Sequence, residues 1–334
     1  MFQKLVFVAI VITVVTISKA PGINAGSGSV MGDPLDDLAA LLPPSHIVGV
    51  LDMPRAARDL LPRLRSNEGG NLARLARDIE QFIKNAGIDP DKVTSAVVGL
   101  RMEGINVRGG VLIADGVALD PKLLESSARN SKLQFETFEI NGKQAYRVIR
   151  LKPVDPANPQ NPPAKDGELN FASLGGKRIV VGDREGIAAV LQPTAGQADS
   201  NGVQWAAIKE TRPAALLRFG VNLPEGLREV LKSQGELFEQ LAGIKVIFGT
   251  MDITAEKDAA IDSRLRAKSK EEAAQMQEGL KSLVFLGKSF LSGDQDPRYA
   301  GVSQLLDQIK ISSDATDVTL YLKIPSSVLD SLIK

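Results

Sequence analysis

Residues 244–291 read IKVIFGTMDITAEKDAAIDSRLRAKSKEEAAQMQEGLKSLVFLGKSFL. Two alternating runs, Lys245–Ile253 and Lys257–Ala267, flank the charged turn Ala255-Glu256-Lys257-Asp258. In the first run Ile247, Met251 and Ile253 share a face, with Gly249 between them; in the second Ala259, Ile261, Leu265 and Ala267 share one, with Ser263 between. Period-two alternation with one apolar side predicts a half-buried antiparallel hairpin. A helix is predicted directly after it. Ser269 and Glu272 stand at the spacing of a capping box, in which each side chain satisfies a backbone N–H that the helix leaves without a partner. Ala273, Met276, Leu280, Leu283, Val284 and Leu291 then form an apolar stripe at helical spacing.

Working outward, Val302–Ile309 reads as a short helix, Lys310–Ser313 with Asp317–Ile324 as a hairpin, and Ser326–Ile333 as a last helix. On the other side, Ala214–Val221 reads as a strand, and Pro224–Leu241 as one helix bearing Leu227, Val230, Leu231, Leu237 and Leu241. The earlier part of the chain repeats this order. His46–Asp52 is an apolar, β-branched strand, and Met53-Pro54 opens a helix carrying Leu60, Leu61 and Leu64, which Ser66–Gly70 breaks. Asn71–Asn85 is helical, with Gly87 placed to cap it. Lys92–Met102 and Val107–Ala114 form a hairpin. A helix starting at Asp120-Pro121 runs to Asn130 with Leu123 and Leu124 inward. Leu133–Ile140 and Gln144–Leu151 are joined by the tight-turn pair Asn141-Gly142. Leu169–Leu174 and Lys177–Gly182 flank Gly175-Gly176, and Asp183 caps the helix Arg184–Leu191.

Shifting the first half by 150 residues lays Val97-Val98-Gly99 over Ile247-Phe248-Gly249, Val111 over Ile261 and Leu123 over Ala273. The fold class expected is therefore α+β: two related halves, each an antiparallel sheet with helices packed on one face, in the order strand, helix, hairpin, helix, hairpin, helix. The strands at Leu133–Leu151 are an addition to the first half. The expected organisation is a signal peptide at 1–25, a flexible lead-in at 26–44 (with a short helix at Asp36–Leu42 stopped by Pro43-Pro44), the first half at 45–191, a linker at 192–212 and the second half at 213–334. Within the first half, 153–167 is a Pro-rich loop with Pro153, Pro156, Pro159 and Pro162 at every third position. That spacing suits an extended polyproline conformation, read as a solvated spacer rather than a docking strip.

The export reading rests on Lys4, the apolar stretch Leu5–Ile17, which is too short for a comfortable membrane span, and Ala25 at the cleavage position before Gly26-Ser27-Gly28-Ser29. It places the protein in the periplasm or outside the cell, with an uncleaved signal-anchor as the alternative and the one route to a membrane. There is no cysteine, which removes a lipid-bearing thiol, disulfides and thiolate metal sites. Taking away Lys4 and Lys19 with the leader leaves 38 basic residues against 40 acidic, a formal charge of −2, which argues against a nucleic-acid binder. Aromatic residues make up only 4% of the chain, so the core must be aliphatic.

Three stretches, LPPSHIVGVLDMPRAARDLLPRL (42–64), SKEEAAQMQEGLKSLV (269–284) and ISSDATDVTLYLKIPSSVLDSL (311–332), resemble exported bacterial proteins of unknown function from lineages such as acidobacteria and planctomycetes. The resemblance implies a duplicated α+β fold outside the cytoplasm and carries over no functional residue.

His46 is the only histidine, so a Ser-His-acid relay would have to use it, and no Gly-x-Ser-x-Gly elbow supplies a nucleophile. It reads instead as a strand-edge residue with a satisfied ring nitrogen. One histidine and no thiol disfavour a zinc, copper or iron site. The acidic pairs Asp36-Asp37 and Asp294–Asp296 lack the spacing of a calcium loop and read as solvated acids. Gly287-Lys288-Ser289 imitates the end of a P-loop, but Ser282 stands where the earlier glycine is required. One Trp and three Tyr supply few sugar platforms, and Trp205 reads as an anchor at the entry of the second half. No catalytic, cofactor-binding or metal-ligating residue is assigned, and no cofactor is expected. The reading is an exported, non-catalytic binding or scaffold protein, its partner a protein or cell-envelope component. Two alternatives stand beside it: an envelope carrier of lipid or another apolar ligand, and a hydrolase using carboxylates alone.

Overall fold

The computed structural model describes residues 34–60, 86–87, 92–104, 106–151, 165–192, 201–256, 258–292 and 305–325. The expectations for the leader 1–25, the helix at 71–85, most of the Pro-rich loop, Asp294–Asp296 and the last helix at 326–333 lie outside them. The chain divides into two compact units. The first is drawn from Met1–Ser45, Val50–Arg101 and Val107–Asn201, the second from His46–Gly49, Met102–Asn106 and Gly202–Lys334. Helices with antiparallel pairing throughout the described strand ladders make the fold α+β.

In the first unit α1 is Pro34–Ala39 and α2 is Met53–Arg55, capped by Asp52 and continued by a π-turn over Ala56–Leu60; β1, Ile47–Leu51, has Ile47–Gly49 in the second unit and Val50–Leu51 in the first. The strands β2 (Ser95–Glu103) and β3 (Asn106–Asp115) form a hairpin, followed by α3 (Pro121–Asn130). Then come β4 (Gln134–Ile140), β5 (Lys143–Leu151), β6 (Lys165–Gly175), β7 (Arg178–Gly182) and α4 (Arg184–Leu191). The strand order is β2-β3-β7-β6-β5-β4. Asn141 and Gly142 both have positive φ (52° and 76°), the backbone that a two-residue hairpin turn requires. Strand β3 is buried from Gly110 to Ala114, so apolar cover lies on both of its faces. Leu38 and Leu42 are fully buried, so part of the segment read as a flexible lead-in is core. Leu124 of α3 is buried as expected, whereas Leu123 is 44% exposed.

Asp183 ties this unit together. Its Oδ1 accepts from the Gly186 N–H at 2.8 Å, capping α4, and from Arg101 Nη2 at 2.7 Å; its Oδ2 accepts from the Gly110 N–H at 2.5 Å. Arg101 also reaches Glu185 at 3.0 Å. A Cβ on Gly109 would stand 2.4 Å from Asp183 Oδ2, so glycine there lets the carboxylate reach the strand. A second clasp closes the chain over a long separation. Asn201 Oδ1 accepts from the Ser45 N–H at 2.9 Å, and its Nδ2 donates to the Pro43 carbonyl at 3.0 Å and the Leu42 carbonyl at 3.3 Å.

In the second unit α5 is Gly202–Lys209, β8 Leu217–Val221, α6 Glu225–Ser233, α7 Glu236–Ala242, β9 Val246–Ile253, β10 Ala259–Arg266, α8 Lys270–Ser292, β11 Lys310–Asp314 and β12 Asp317–Ile324. The strand order is β8-β9-β10-β12-β11. The expected hairpin is present, with Met251 opposite Ile261 and Ile247 opposite Leu265. Ser269 Oγ accepts from the Glu272 N–H at 3.2 Å, and Glu272 reaches back to the Lys268 N–H at 3.1 Å, one residue before the expected donor.

Two expectations change here. Pro224–Leu241 is two helices, because Gly235 adopts φ +102°, a left-handed conformation that ends α6. Helices also cover both faces of the sheet rather than one. On one face Ala273 and Met276 of α8 pack with Ile244, Leu265, Ala267 and Val318, with Ile247 and Leu320 beside them. On the other, Ala207 of α5 packs with Val246 and Phe248. Residues 202–209, inside the stretch read as a linker, form that second cover. A Cβ on Gly220 of β8 would lie 2.8 Å from the Gln204 carbonyl oxygen, so α5 sits directly against the strand.

Replacing Asp183 with Ala removes a helix cap and leaves the Gly110 N–H and the Arg101 guanidinium short of an acceptor. The expected loss is about 3 kcal/mol of unfolding free energy. Asp183→Asn keeps a capping oxygen and should lose about 1 kcal/mol. Urea denaturation measures both; equal losses would show that the charge on Asp183 carries the whole contribution and that the capping oxygen adds nothing.

Candidate functional site

His46 stands at the start of β1. Its Nδ1 accepts a hydrogen bond from the Met102 N–H at 3.0 Å, and its carbonyl accepts from the Asn222 N–H at 2.7 Å. A ring nitrogen that accepts from a backbone amide must be unprotonated, which fixes the neutral form with its proton on Nε2. Burial lowers the pKa below its usual 6.5, in the same direction. The imidazole is thus a backbone partner.

The other sequence candidates are dispersed. Asp36 and Asp37 lie in the first turn of α1, where carboxylates suit a helix N-terminus. Gly287, Lys288 and Ser289 lie within α8, where Lys288 pairs with Asp307 at 2.8 Å and Ser289 Oγ donates to the Phe285 carbonyl at 3.0 Å. Trp205 is on α5 with the Lys209 ammonium 6.0 Å from its ring centre. Among the described residues no group of three or more His, Asp or Glu side chains is placed to hold a metal ion.

What the structure does assemble is a polar sheet face in the second unit. The face opposite α8 is set by register. Arg218 lies opposite Thr250, Thr250 opposite Asp262, Asp262 opposite Tyr321, and Tyr321 opposite Lys310. Directly opposite residues on neighbouring strands point to the same side, so these five side chains form one row across β8, β9, β10, β12 and β11. The adjoining rows on that face add Arg264 and Thr319 on one side and Asp252 and Lys323 on the other.

Charges at the two ends of this face are paired. Arg266 forks to Glu210 at 2.8 and 2.6 Å and to Asp317 at 2.9 Å, with its guanidinium 4.7 Å from the Phe248 ring centre. The hydrogen bond from Arg266 holds the Glu210 carboxyl below its usual range, and the same fork, with Asp317, pushes the guanidinium further up. At the other end Asp252 is buried, accepts from the Leu216 N–H at 3.0 Å and pairs with Arg212. Lys323 pairs with Asp258 at 3.0 Å, which raises its pKa.

The middle differs. Asp262 Oδ1 is buried and has no hydrogen-bond partner among the described residues. Neither Asp262 nor the exposed Arg264 makes an ion pair there, and the Lys310 ammonium lies 5.9 Å from the Tyr321 ring centre. A buried carboxylate oxygen without a donor is destabilising and unusual in folded proteins. Sequence reasoning passed over this row because it followed the apolar alternate positions of the same strands. The signal was present in the other alternation: Thr250 and Asp252; Asp262, Arg264 and Arg266; Thr319, Tyr321 and Lys323.

Because the folded state resists protonating His46 while the unfolded chain takes a proton near 6.5, its contribution to stability is complete above 6.5. It is lost as the pH falls through 6.5 toward the lower folded value. The melting temperature should therefore fall between pH 7.5 and 5.5, and His46→Asn should flatten that slope. With one histidine in the chain, a proton NMR titration reads the ring directly, and a midpoint at or above 6.5 would contradict the assignment.

No protein-family model matches the chain, and no curated protein matches it. Among solved structures, the one titled "Structure of crystal form I of TP0453" is similar, at 9% sequence identity and a TM-score of 0.42, over 92% of this chain and 99% of that chain.

Proposed function

We propose that the chain is an exported, non-catalytic binding or scaffold protein of the cell envelope, built on two related units. The observation that carries the binding reading is the polar face of the second unit. Its rim charges are neutralised within the fold, while among the described residues Asp262, Arg264 and Lys310 in the middle have no ion-pair partner. Rigid strands that present unpaired charges suit recognition. Binding is favoured over carboxylate-dependent hydrolysis because Asp252, the buried acid on this face, already serves the Leu216 N–H and Arg212. Export is supported by the reading of Met1–Ala25 as a leader. The duplication is supported by strand order: β2-β3-β7-β6 in the first unit and β9-β10-β12-β11 in the second follow the same path, with the hairpin β4–β5 as an addition.

Protein spanning Gly26–Lys334, mixed with isolated cell envelopes, should form a saturable complex. That complex should weaken severalfold as ionic strength rises from about 0.05 to 0.5 M, since exposed charges such as Arg264 and Lys310 are screened. The bound component should be recovered chemically unchanged. A component recovered cleaved, with cleavage lost in Asp252→Asn or Asp262→Asn, would make the chain a hydrolase instead.

A further inference from the structure

We propose that β11 is a self-pairing edge, through which two copies of the chain join into one continuous antiparallel sheet. The proposal stands apart from the binding reading above, which survives its failure. Strand β11 ends the sheet of the second unit, and its described pairing is with β12 alone. Lys310, Ser312, Ser313 and Asp314 are exposed and Ile311 is half-buried. An edge of this kind carries backbone N–H and C=O groups with no strand to meet them. Proline or a bulge commonly blunts such an edge, and β11 has neither. Which groups point outward follows from the turn. Asp314 lies opposite Asp317 across the turn Ala315-Thr316, with Ala315 at φ 49°. The pair that flanks a two-residue turn exchanges both of its backbone hydrogen bonds. Lys310, Ser312 and Asp314 therefore bond to β12, while Ile311 and Ser313 direct their backbone groups outward.

The order of charges along the strand selects the occupant. Among the described residues neither Lys310 nor Asp314 makes an ion pair. The Lys310 ammonium lies over the Tyr321 ring, and Asp314 has the like charge of Asp317 directly opposite. Like charges that face each other across a ladder are unfavourable, and a cation on the open flank of Asp314 offsets that. A second copy running antiparallel pairs outward residues with outward residues. The register that sets Ile311 opposite Ser313 of the second copy also sets Lys310 opposite Asp314 and Ser312 opposite Ser312. A twofold axis at Ser312 then makes every contact twice. Lys310 and Asp314 meet there as a non-hydrogen-bonded pair, where side chains stand closest, with about 4.5 Å between Cα atoms. Moving the register by one pair in either direction sets Ser312 against Lys310 or against Asp314 and leaves the charges unmatched. The segment KISSD is thus its own complement, which favours a second copy over an unrelated strand.

The test is sedimentation equilibrium of the Gly26–Lys334 protein. It should show a reversible monomer–dimer association between about 1 and 500 μM, weak because the contact is small. Lys310→Asp sets acids opposite one another across the axis, and Asp314→Lys sets cations opposite one another. Each variant alone should dimerise about tenfold more weakly than the unaltered protein. Mixed in equal amounts, the two variants regain an opposite charge at every pair and should associate at least as tightly as the unaltered protein. Both positions are exposed, so folding is not at stake, and recovery in the mixture shows the strand intact. A protein that stays monomeric throughout that range overturns the proposal. A dimer that both variants leave unchanged, or a mixture no tighter than its parts, also overturns it, because either places the contact elsewhere or in another register.

Discussion

Gly249 lies directly opposite Ser263 in the β9–β10 ladder, and a Cβ at position 249 would come within 2.1 Å of the Asp262 carbonyl oxygen. The two backbones meet too closely there for any side chain. That contact favours one register, and the register decides what each side of the second unit does. Because side chains alternate, a slip of one residue would exchange the faces. Ile247 and Leu265 would leave α8, and Thr250 and Asp262 would be driven into the apolar layer. In the observed register one side buries Leu265, Ala273, Met276 and Val318, and the other carries the row of Thr250, Asp262 and Tyr321 beside the Val246 and Phe248 that α5 covers. A single backbone constraint thus decides which side of the sheet carries the polar row.

Several buried or half-buried polar side chains hold the backbone in place. Asp183 joins the start of α4 to β3 and Arg101. Asn201 fastens the turn at Leu42-Pro43. Arg228 donates to the carbonyls of Ala242 and Ile244 at 2.7 Å each, capping the end of α7. His46 accepts from Met102. Among the described residues two buried side-chain atoms have no hydrogen-bond partner, Arg101 Nε and Asp262 Oδ1, and of the two only Asp262 belongs to a side chain whose other contacts do not hold the backbone. Breaks of this kind in the consistency of a structure are expected at functional positions.

The hairpins were legible because their turns are chemically explicit. Asn141-Gly142 and Gly175-Gly176 supply the positive φ that tight turns demand, and the polar pair Asp183 and Ser269 announce the helices that follow them. Which side of a strand would be buried was less legible. Ile247, Met251 and Ile253 advertise one face, yet Val246 and Phe248 are the more deeply buried, because α5 covers them. The sequence of α5, GVQWAAIK, is short and follows the small and polar stretch QPTAGQADSN, so it reads as connection rather than cover. The single glycine that divides α6 from α7 was hidden inside a continuous Leu and Val pattern. The candidate site was hidden for a related reason. Its residues are dispersed over five strands, and only register brings Arg218, Thr250, Asp262, Tyr321 and Lys310 into line.

The claim that matters most is that the two sides of the second unit's sheet have different tasks. Carboxyl labelling and hydroxyl-radical footprinting of the intact protein, with and without envelope material, reads this residue by residue. The account predicts protection of Asp262 and Tyr321 on binding, with Glu271 and Gln277 on α8 unchanged. Protection confined to α8, with Asp262 and Tyr321 labelled as before, would contradict it.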